Sequence, residues 1–416
     1  MVTSEVVHDV CVLGLGYVGL PTAAVLATRG QINPHGPSGL KVAGVDTRKD
    51  VVSTINEGKI HIVEPELDAL VRAAVQAGRL RAFTEPQPAS AFLICVPTPF
   101  GAEHQPDLSY VEAATRALIP VLRPGNLVVL ESTSPPGTSR DLVAKILAEA
   151  GFVAGRDVFV AHAPERVLPG AVIREVVEND RVVGGVTPAC TEAAATFYER
   201  FVTGEVLRCT ADTAELVKLS ENAFRDVNIA FANELANVCD KLDLDVWEVV
   251  RLANRHPRVN ILRPGPGVGG HCIAVDPWFI VAAAPERTPL LQAARRVNDA
   301  RPHQVVESVR VLAQRFRRPK IACMGITYKP DIDDIRESPA LEVVRELAAA
   351  DLGELVVVEP HLQRCPIDGV ALEGAESALR TADIVVILVA HRSFSRLRRE
   401  LFDRPSVVDT VGLLRR

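Results

Sequence analysis

No run of this chain is apolar for long enough to cross a membrane as a helix; the longest, at 127–130 and 384–390, have the length of strands. The first seven residues hold no basic side chain, so a secretory signal with its positive leader is not expected. The chain also lacks a CxxC pair. Its eight cysteines (11, 95, 190, 209, 239, 272, 323 and 365) are scattered, most of them in apolar runs. That usage fits a reduced, cytoplasmic protein and points to no structural zinc or other metal. Basic charge is not in surplus either: 46 Lys and Arg stand against 52 Asp and Glu, a net charge of −6. Neither nucleic acid nor an anionic membrane is therefore expected as a partner. Low-complexity tracts and short-period repeats are missing as well.

What is present is the patterning of a globular α/β protein of 416 residues, 48% hydrophobic and 24% charged. Continuous apolar runs at 10–13, 41–45, 91–96, 127–131 and 158–161 alternate with helical stretches, as in a parallel sheet buried on both faces. From residue 210 to about 253 the pattern turns to long helix, and a Pro/Gly/Arg-rich segment at 255–270 interrupts it. Strand-like runs resume at 320–324, 355–358, 384–389 and 407–409, with a helix expected over 339–350. The fold class read from this is two Rossmann-like parallel-sheet domains joined by a central helical domain.

Three segments carry chemistry. The first is a strand followed by Gly14-Leu15-Gly16-Tyr17-Val18-Gly19 and then a helix. Small residues at these positions allow a tight turn, let a pyrophosphate approach the backbone and let helix pack on strand, while the helix N-terminus offers N–H donors. Asp46 closes the second strand and is placed to accept ribose hydroxyls, which favours NAD over NADP. A Pro/Gly/Ser-rich insertion at 31–40 lengthens the usual spacing. Arg48 follows, either near the adenine or as solvated charge.

The second segment, Pro264 to Phe279, packs four glycines and two prolines before Cys272. Such a loop turns backbone N–H groups toward a ligand and presents the thiol at its end. A thiol there can capture an aldehyde as a thiohemiacetal, which a second oxidation converts to a thioester that water hydrolyses. His271 reads as a structural neighbour of that thiol. The third segment places Lys218 and Asn222 one turn apart on a helix expected to be largely buried, where an ammonium and an amide can hold an oxyanion. A surface Lys/Asn pair is the plain alternative.

With GLGYVGLPTA, VPTP at 96–99, ESTSPPGT at 131–138, APERVLPG at 163–170, ELVKLSENAFRDVN, PGPGVGGHCIAVDPWF and GITYKPDIDDIRESPAL at 325–341, the chain resembles the UDP-glucose/UDP-mannosamine dehydrogenase family over essentially its full length. The HCIAVDPWF loop is most similar to the UDP-N-acetylmannosamine branch. Pro169, where UDP-glucose members carry a second glutamate, speaks against UDP-glucose. The resemblance implies an NAD-binding domain at 1–205, a central helical dimerisation domain at 206–302 and a UDP-sugar-binding domain at 303–416. It implies a homodimer or higher homo-oligomer, NAD as cofactor and a UDP-sugar as substrate.

It also implies roles for individual residues. Cys272 is the nucleophile; Lys218 and Asn222 steady the oxyanion, with Lys218 moving a proton. Glu165 serves thioester formation and hydrolysis, Asp276 helps order the water, and Thr133 lies near both water and nicotinamide. Thr98 and Arg336 touch the cofactor. Arg166, Val167, Arg225, His256, Arg258, Gly269, Tyr328 and Lys329 hold the nucleotide sugar. Taken singly, each has a plainer reading: Glu165 and Arg166 as a loop ion pair, Asp276 as a cap at Pro277, Arg336 as a partner of Asp333 or Asp334. Where the family often has a basic residue after the last strand this chain has Val411, so one phosphate contact is expected either to be missing or to come from Arg415 or Arg416. The activity implied is oxidation of the C6 alcohol of a UDP-N-acetylhexosamine, N-acetylmannosamine before N-acetylglucosamine, N-acetylgalactosamine or glucose. A single-step hydroxyacid dehydrogenase and a non-catalytic NAD-binding protein are the remaining alternatives.

Overall fold

The computed structural model describes residues 8–29, 39–62, 64–101, 105–167, 170–270 and 272–415. His271, Pro169, Arg416 and most of the 31–40 insertion lie outside those residues. The chain divides into two compact units, Met1–Ser220 and Glu221–Arg416.

The first unit is built on an eight-stranded sheet in the order β3-β2-β1-β4-β5-β6-β7-β8. The strands are β1 His8–Leu13, β2 Val42–Val45, β3 Leu80–Phe83, β4 Ala89–Ile94, β5 Leu127–Leu130, β6 Phe159–His162, β7 Arg181–Gly185 and β8 Val206–Thr210. All neighbours pair in parallel except β6 and β7. Val10, Val12, Leu93 and Val129 face one apolar cluster and Cys11, Phe92, Ile94 and Val128 the other, so both faces are covered. That double burial is why these strands read as unbroken apolar runs. Strand order reverses between β1 and β4, and a crevice at such a reversal is where α/β sheets bind ligands.

The second unit holds a five-stranded, all-parallel sheet in the order β11-β10-β9-β12-β13. Its strands are β9 Lys320–Met324, β10 Glu354–Val358, β11 Ala371–Leu372, β12 Ile384–Ile387 and β13 Ser406–Asp409. The helix Pro339–Ala350 runs over the expected residues, with Ser338 capping it by accepting the N–H of Leu341.

The long helix differs from expectation in two ways. It does not run on to residue 253: Ala211–Leu242 ends before Asp243, whose φ of +55° is left-handed, and a new helix Val246–Ala253 starts under an Asp245 cap that accepts from Trp247 N. Nor is it buried all round, since Leu216 and Phe224 are 41% and 68% exposed. Among the described residues no helix is long and apolar enough to cross a membrane.

Candidate active site

The glycine turn has the geometry its sequence asks for. Gly14 ends β1 with φ +89°, and a Cβ there would lie 2.5 Å from the carbonyl oxygen of Cys95. A Cβ on Gly19 would lie 1.8 Å from the Gly14 oxygen, so helix and strand meet only because both residues are glycine. Gly16 has open space on that side, which is the approach a pyrophosphate needs. Leu15 is buried, Val18 half-buried and Tyr17 exposed. The Asp46 carboxylate accepts Leu15 N at 3.2 Å and Arg48 N at 2.9 Å and keeps lone pairs for further donors. These residues fit a dinucleotide. The Arg48 guanidinium is on the surface, paired with Asp50 at 2.5 Å, as the solvated-charge reading has it. Thr98 and Thr133 are half-buried on the segments that leave β4 and β5, next to this turn in strand order.

Glu165 follows β6 and is 9% exposed. Its partner is not the neighbouring guanidinium: Oε1 accepts the backbone N–H of Arg166 at 2.7 Å, and Oε2 pairs with Arg181 at the start of β7. Arg181 also pairs with Glu131 at 2.8 Å and lies over the Tyr198 ring, 4.8 Å from its centroid. Tyr198 Oη donates to Glu131 at 2.5 Å, and the Cys95 thiol donates to the other Glu131 oxygen at 3.3 Å. Burial pushes the Glu131 carboxyl above its usual range and Arg181 pulls it back. His162 on β6 is fully buried; burial and then the Arg181 charge lower it to about 3, so it stays neutral. Arg166 donates its guanidinium to the Asp180 carbonyl, and Val167 packs on the core. Buried Glu64 accepts Gly170 N and Val172 N, each at 2.9 Å, and pins the far end of this segment.

On the helix Ala211–Leu242, Lys218 is half-buried and Asn222 buried, one turn apart. Asn222 Nδ2 donates to Asp276 Oδ2 at 2.6 Å, so two expected catalytic residues touch. Asp276 is the first residue of the helix Asp276–Ala283, and its Oδ2 accepts from Asn222. One turn before Lys218, buried Glu215 accepts Gly137 N at 2.6 Å and Ser139 N at 2.8 Å. It thereby ties the segment that carries Thr133 to the helix, ahead of a π-helical stretch at Thr138–Ala144. Burial pushes Glu215 up to about 7 in spite of the two donors.

The cysteine loop is held by its backbone. Gly265 N donates to Asn233 Oδ1 at 2.9 Å, and Arg301 Nε donates to the Gly265 carbonyl at 3.1 Å. Behind it Asn233 donates to Asn298, which donates to Asp226, and Asp226 pairs with Arg295 at 2.6 Å. Further on, a Cβ on Gly269 would meet the Glu337 carbonyl at 2.4 Å, and one on Gly270 the Tyr328 ring at 2.9 Å. Cys272 itself is exposed, and its carbonyl accepts from Val275 N and Asp276 N at 3.1 and 2.8 Å. Arg225, His256 and Arg258 are exposed, and Arg258 N donates to His256 Nδ1 at 3.3 Å.

The loop faces the ends of β9 and β12, where the second sheet reverses its strand order. A cavity of about 190 Å³ lies there, lined by Pro264, Gly267, Thr327, Tyr328, Val389 and Val411 among others. Lys329 is half-buried beside it, with its carbonyl held by the Thr327 hydroxyl at 2.9 Å. The strand-end loop is strained: Asp331 and Glu337 have φ of +63° and +48°. Arg336 forks onto Asp334 at 2.6 Å, the plain reading of that residue. Arg415 pairs with Asp245 at 3.5 Å and lines a neighbouring cavity with Arg251 and Arg263. Asp331, His361 and His391 also converge. However, His391 accepts Asp331 N at Nδ1 and meets Glu359 at 3.1 Å through Nε2, so both ring nitrogens are committed to holding the loop.

Family models match along the whole length: the NAD binding domain of the UDP-glucose/GDP-mannose dehydrogenase family at residues 8–202, its central domain at 212–300 and its UDP binding domain at 322–416. The chain belongs to the UDP-glucose/GDP-mannose dehydrogenase family. Similar relatives include an NDP-N-acetyl-D-galactosaminuronic acid dehydrogenase of Ralstonia nicotianae, 56% identical over 98% of this chain and 96% of its own. A UDP-N-acetyl-D-mannosamine dehydrogenase of Campylobacter jejuni is 51% identical over 94% and 98%. Among solved structures, a UDP-N-acetyl-mannosamine dehydrogenase of S. aureus superposes with a TM-score of 0.87 at 40% identity, covering 97% of this chain and 95% of that one.

The protein is thus an NAD-dependent nucleotide-sugar dehydrogenase, which fits the glycine turn and the cavity at the second sheet's reversal. Within 1–220 the structure gathers the glycine turn with Asp46, Thr98 and Thr133 beside it in strand order, and sets Glu165 in its ion cluster. Within 221–416 it brings Asn222 to Asp276, and Gly269 to Tyr328. Reading the sequence missed Glu131, Arg181 and Tyr198 around Glu165, Glu215 against Gly137 and Ser139, and Asn233, Asn298 and Arg301 behind the cysteine loop. Glu131 opens the quoted EST motif and was legible as a candidate. Arg181, one charge before an apolar strand, carried no such signal.

Proposed function

We propose that this dehydrogenase oxidises the C6 alcohol of a UDP-N-acetylhexosamine to the carboxylate, with UDP-N-acetylmannosamine as preferred substrate. The observation that carries the reading is the buried Asn222–Asp276 contact, in which Asp276 follows the exposed Cys272 by one turn. The relatives named for UDP-N-acetyl-D-mannosamine support the sugar, and the Ralstonia relative makes a galactosaminuronic product the first competitor. The nucleotide is assigned to the cavity beside Tyr328 and Lys329, with Gly269, Arg166, Val167, Arg225, His256 and Arg258 completing its contacts. Thr98 and Arg336 are assigned to the cofactor. The working regions are 1–205, 206–302 and 303–416.

NAD bound at the glycine turn supplies the acceptor for both oxidations. Lys218 takes the proton from the C6 hydroxyl, and Lys218 and Asn222 hold the oxygen as charge develops on it. The Cys272 thiolate attacks the resulting aldehyde; its sulfur–carbon bond persists through the second oxidation as a thioester. Glu165, with Thr133 and Asp276 ordering water, deprotonates the water that cleaves the thioester and frees the thiolate. Each sugar consumes two NAD and one water.

Self-association is part of the same reading. Phe224, Phe231, Val238 and Leu242, 68%, 51%, 47% and 61% exposed, fall within about 40° of one another around the long helix. Such a stripe suits a second copy of the chain. A cytoplasmic site of action fits the cysteines, none of which is in a disulfide among the described residues.

The test is NADH release from purified protein against UDP-N-acetylmannosamine, UDP-N-acetylglucosamine, UDP-N-acetylgalactosamine and UDP-glucose. Two NADH per molecule of UDP-N-acetylmannosamine, at the highest kcat/KM of the four, is the expected result. One NADH per sugar would overturn the thioester route, and a higher kcat/KM for another sugar would reassign the substrate.

A further inference from the structure

Arg181, Glu131 and Tyr198 are unused by the chemistry just described, and together with Glu165 they make a cluster whose composition is costly for a core. Its side chains are nearly inaccessible: Arg181 5%, Glu131 0% and Glu165 7% exposed. Apolar residues of the same volume commonly serve stability as well as or better than a buried ion pair. The geometry gives such a cluster another use. Each oxygen of Glu165 has a donor of its own, the Arg166 N–H on Oε1 and Arg181 Nη1 on Oε2. Arg181 cannot swing, because Nη2 is tied to Glu131 at 2.8 Å and its plane lies over the Tyr198 ring. Glu131 is fixed in turn by the Tyr198 hydroxyl and the Cys95 thiol. Cys95 packs directly against Gly14 and Gly19 of the dinucleotide turn. The contacts therefore run without a break from that turn to Glu165.

We propose that Arg181 and Glu131 are positioning residues, which hold the Glu165 carboxylate at one orientation relative to the dinucleotide turn for the thioester steps. This rests on the reading that Glu165 acts in those steps. Only a guanidinium can do this, because its planar fork spans two carboxylates, whereas an ammonium is a single point of charge. A loss of register of about 1 Å is enough to slow a reaction on the order of 100-fold.

Arg181→Lys keeps the buried positive charge and removes the fork. Its kcat is expected to fall roughly 10- to 100-fold, with KM for UDP-sugar and for NAD within about threefold of wild type. In a single turnover both NADH should appear at the wild-type rate, and the uronic acid late, behind an accumulated thioester. Glu131→Ala should behave in the same way, and Glu131→Gln, which still offers Arg181 an acceptor, should recover most of the rate. An unchanged kcat in Arg181→Lys overturns the proposal. So does a fall in kcat that tracks lost thermal stability across all three variants, the mark of a merely structural cluster. Should Arg181→Lys not fold, Glu131→Ala decides alone, because it leaves Arg181 paired with Glu165. Glu165→Gln separates the two readings. Wild-type turnover in that variant removes Glu165 from the chemistry, whereas slow Glu165→Gln beside normal Arg181→Lys overturns the positioning alone.

Discussion

Glu165 and Cys272, the two groups assigned to the thioester, are held in opposite ways. Glu165 sits at the edge of a buried ion cluster and is gripped through its own carboxylate oxygens. Cys272 stands exposed, and the loop that presents it is gripped through its backbone, at Gly265 by Asn233 and Arg301 and at Gly269 and Gly270 by the close approach of Glu337 and Tyr328. The difference matches the work asked of each. A base must keep one orientation while its charge changes, so its side chain is fixed by charged donors. A nucleophile must reach an arriving carbon and later let it go, so its side chain stands exposed and the loop that presents it is fixed. The first arrangement depends on a carboxylate's ionisation; the side chains that touch the loop at Gly265, the Asn233 amide and the Arg301 guanidinium, keep one charge across the ordinary pH range.

Breaking the charged half should have the largest effect on stability. Arg181→Ala leaves Glu131 and Glu165 buried without their counter-ion, and removal of one partner from a buried pair costs about 3–5 kcal/mol. Denaturant unfolding should show that loss.

Glu215 comes next and sharpens the contrast through pH. Burial raises its carboxyl to about 7 in the folded chain, against 4.5 for an ordinary glutamate. The folded chain thus keeps a proton that the unfolded chain gives up from about pH 4.5 upward. The stability that this proton contributes is present below pH 4.5 and is lost as pH rises toward 7, on the order of 3 kcal/mol across that window. Glu215→Gln should remove the dependence, so the stability gap between variant and wild type shifts in favour of the variant as pH rises. A gap that stays constant from about pH 4.5 to about pH 8 would contradict this.

Asn233→Ala should have the smallest effect, about 1–2 kcal/mol for a buried amide whose partners lose a hydrogen bond. Its cost should not vary over the same pH range. It should also raise hydrogen exchange at Gly265 and leave exchange in the first unit unchanged. A pH-dependent cost would place the loop in the same class as the Glu165 cluster.

The residues assigned to ligand were legible in the sequence because the chemistry proposed for them forces a local pattern. Glycines at 14, 16 and 19 follow from a backbone that must meet a phosphate, and the glycine loop before Cys272 from a thiol that must be presented. Of the residues that hold those groups, only Glu131, in the EST motif, was legible as a candidate, and its partner was not. Arg181 lies sixteen residues from Glu165 and Glu131 fifty residues from Arg181, and sheet order, which no local pattern specifies, brings them together. Glu215 and Asn233 look like ordinary polar positions of a long helix until the facing segment is known. The helix break at Asp243 was missed for a related reason: a non-glycine residue in left-handed conformation gives no compositional sign. The exposure of Leu216 and Phe224 was not legible because apolar residues on a helix mark either a core face or an uncovered stripe, and composition does not separate the two.

The most direct test is a rapid-quench single turnover of Cys272→Ser with UDP-N-acetylmannosamine and excess NAD. The expected result is one NADH per site, a C6 aldehyde recovered with a carbonyl-trapping reagent and no uronic acid. Formation of the uronic acid with two NADH at the wild-type rate would show that the second oxidation proceeds without the thiol, and would contradict the account.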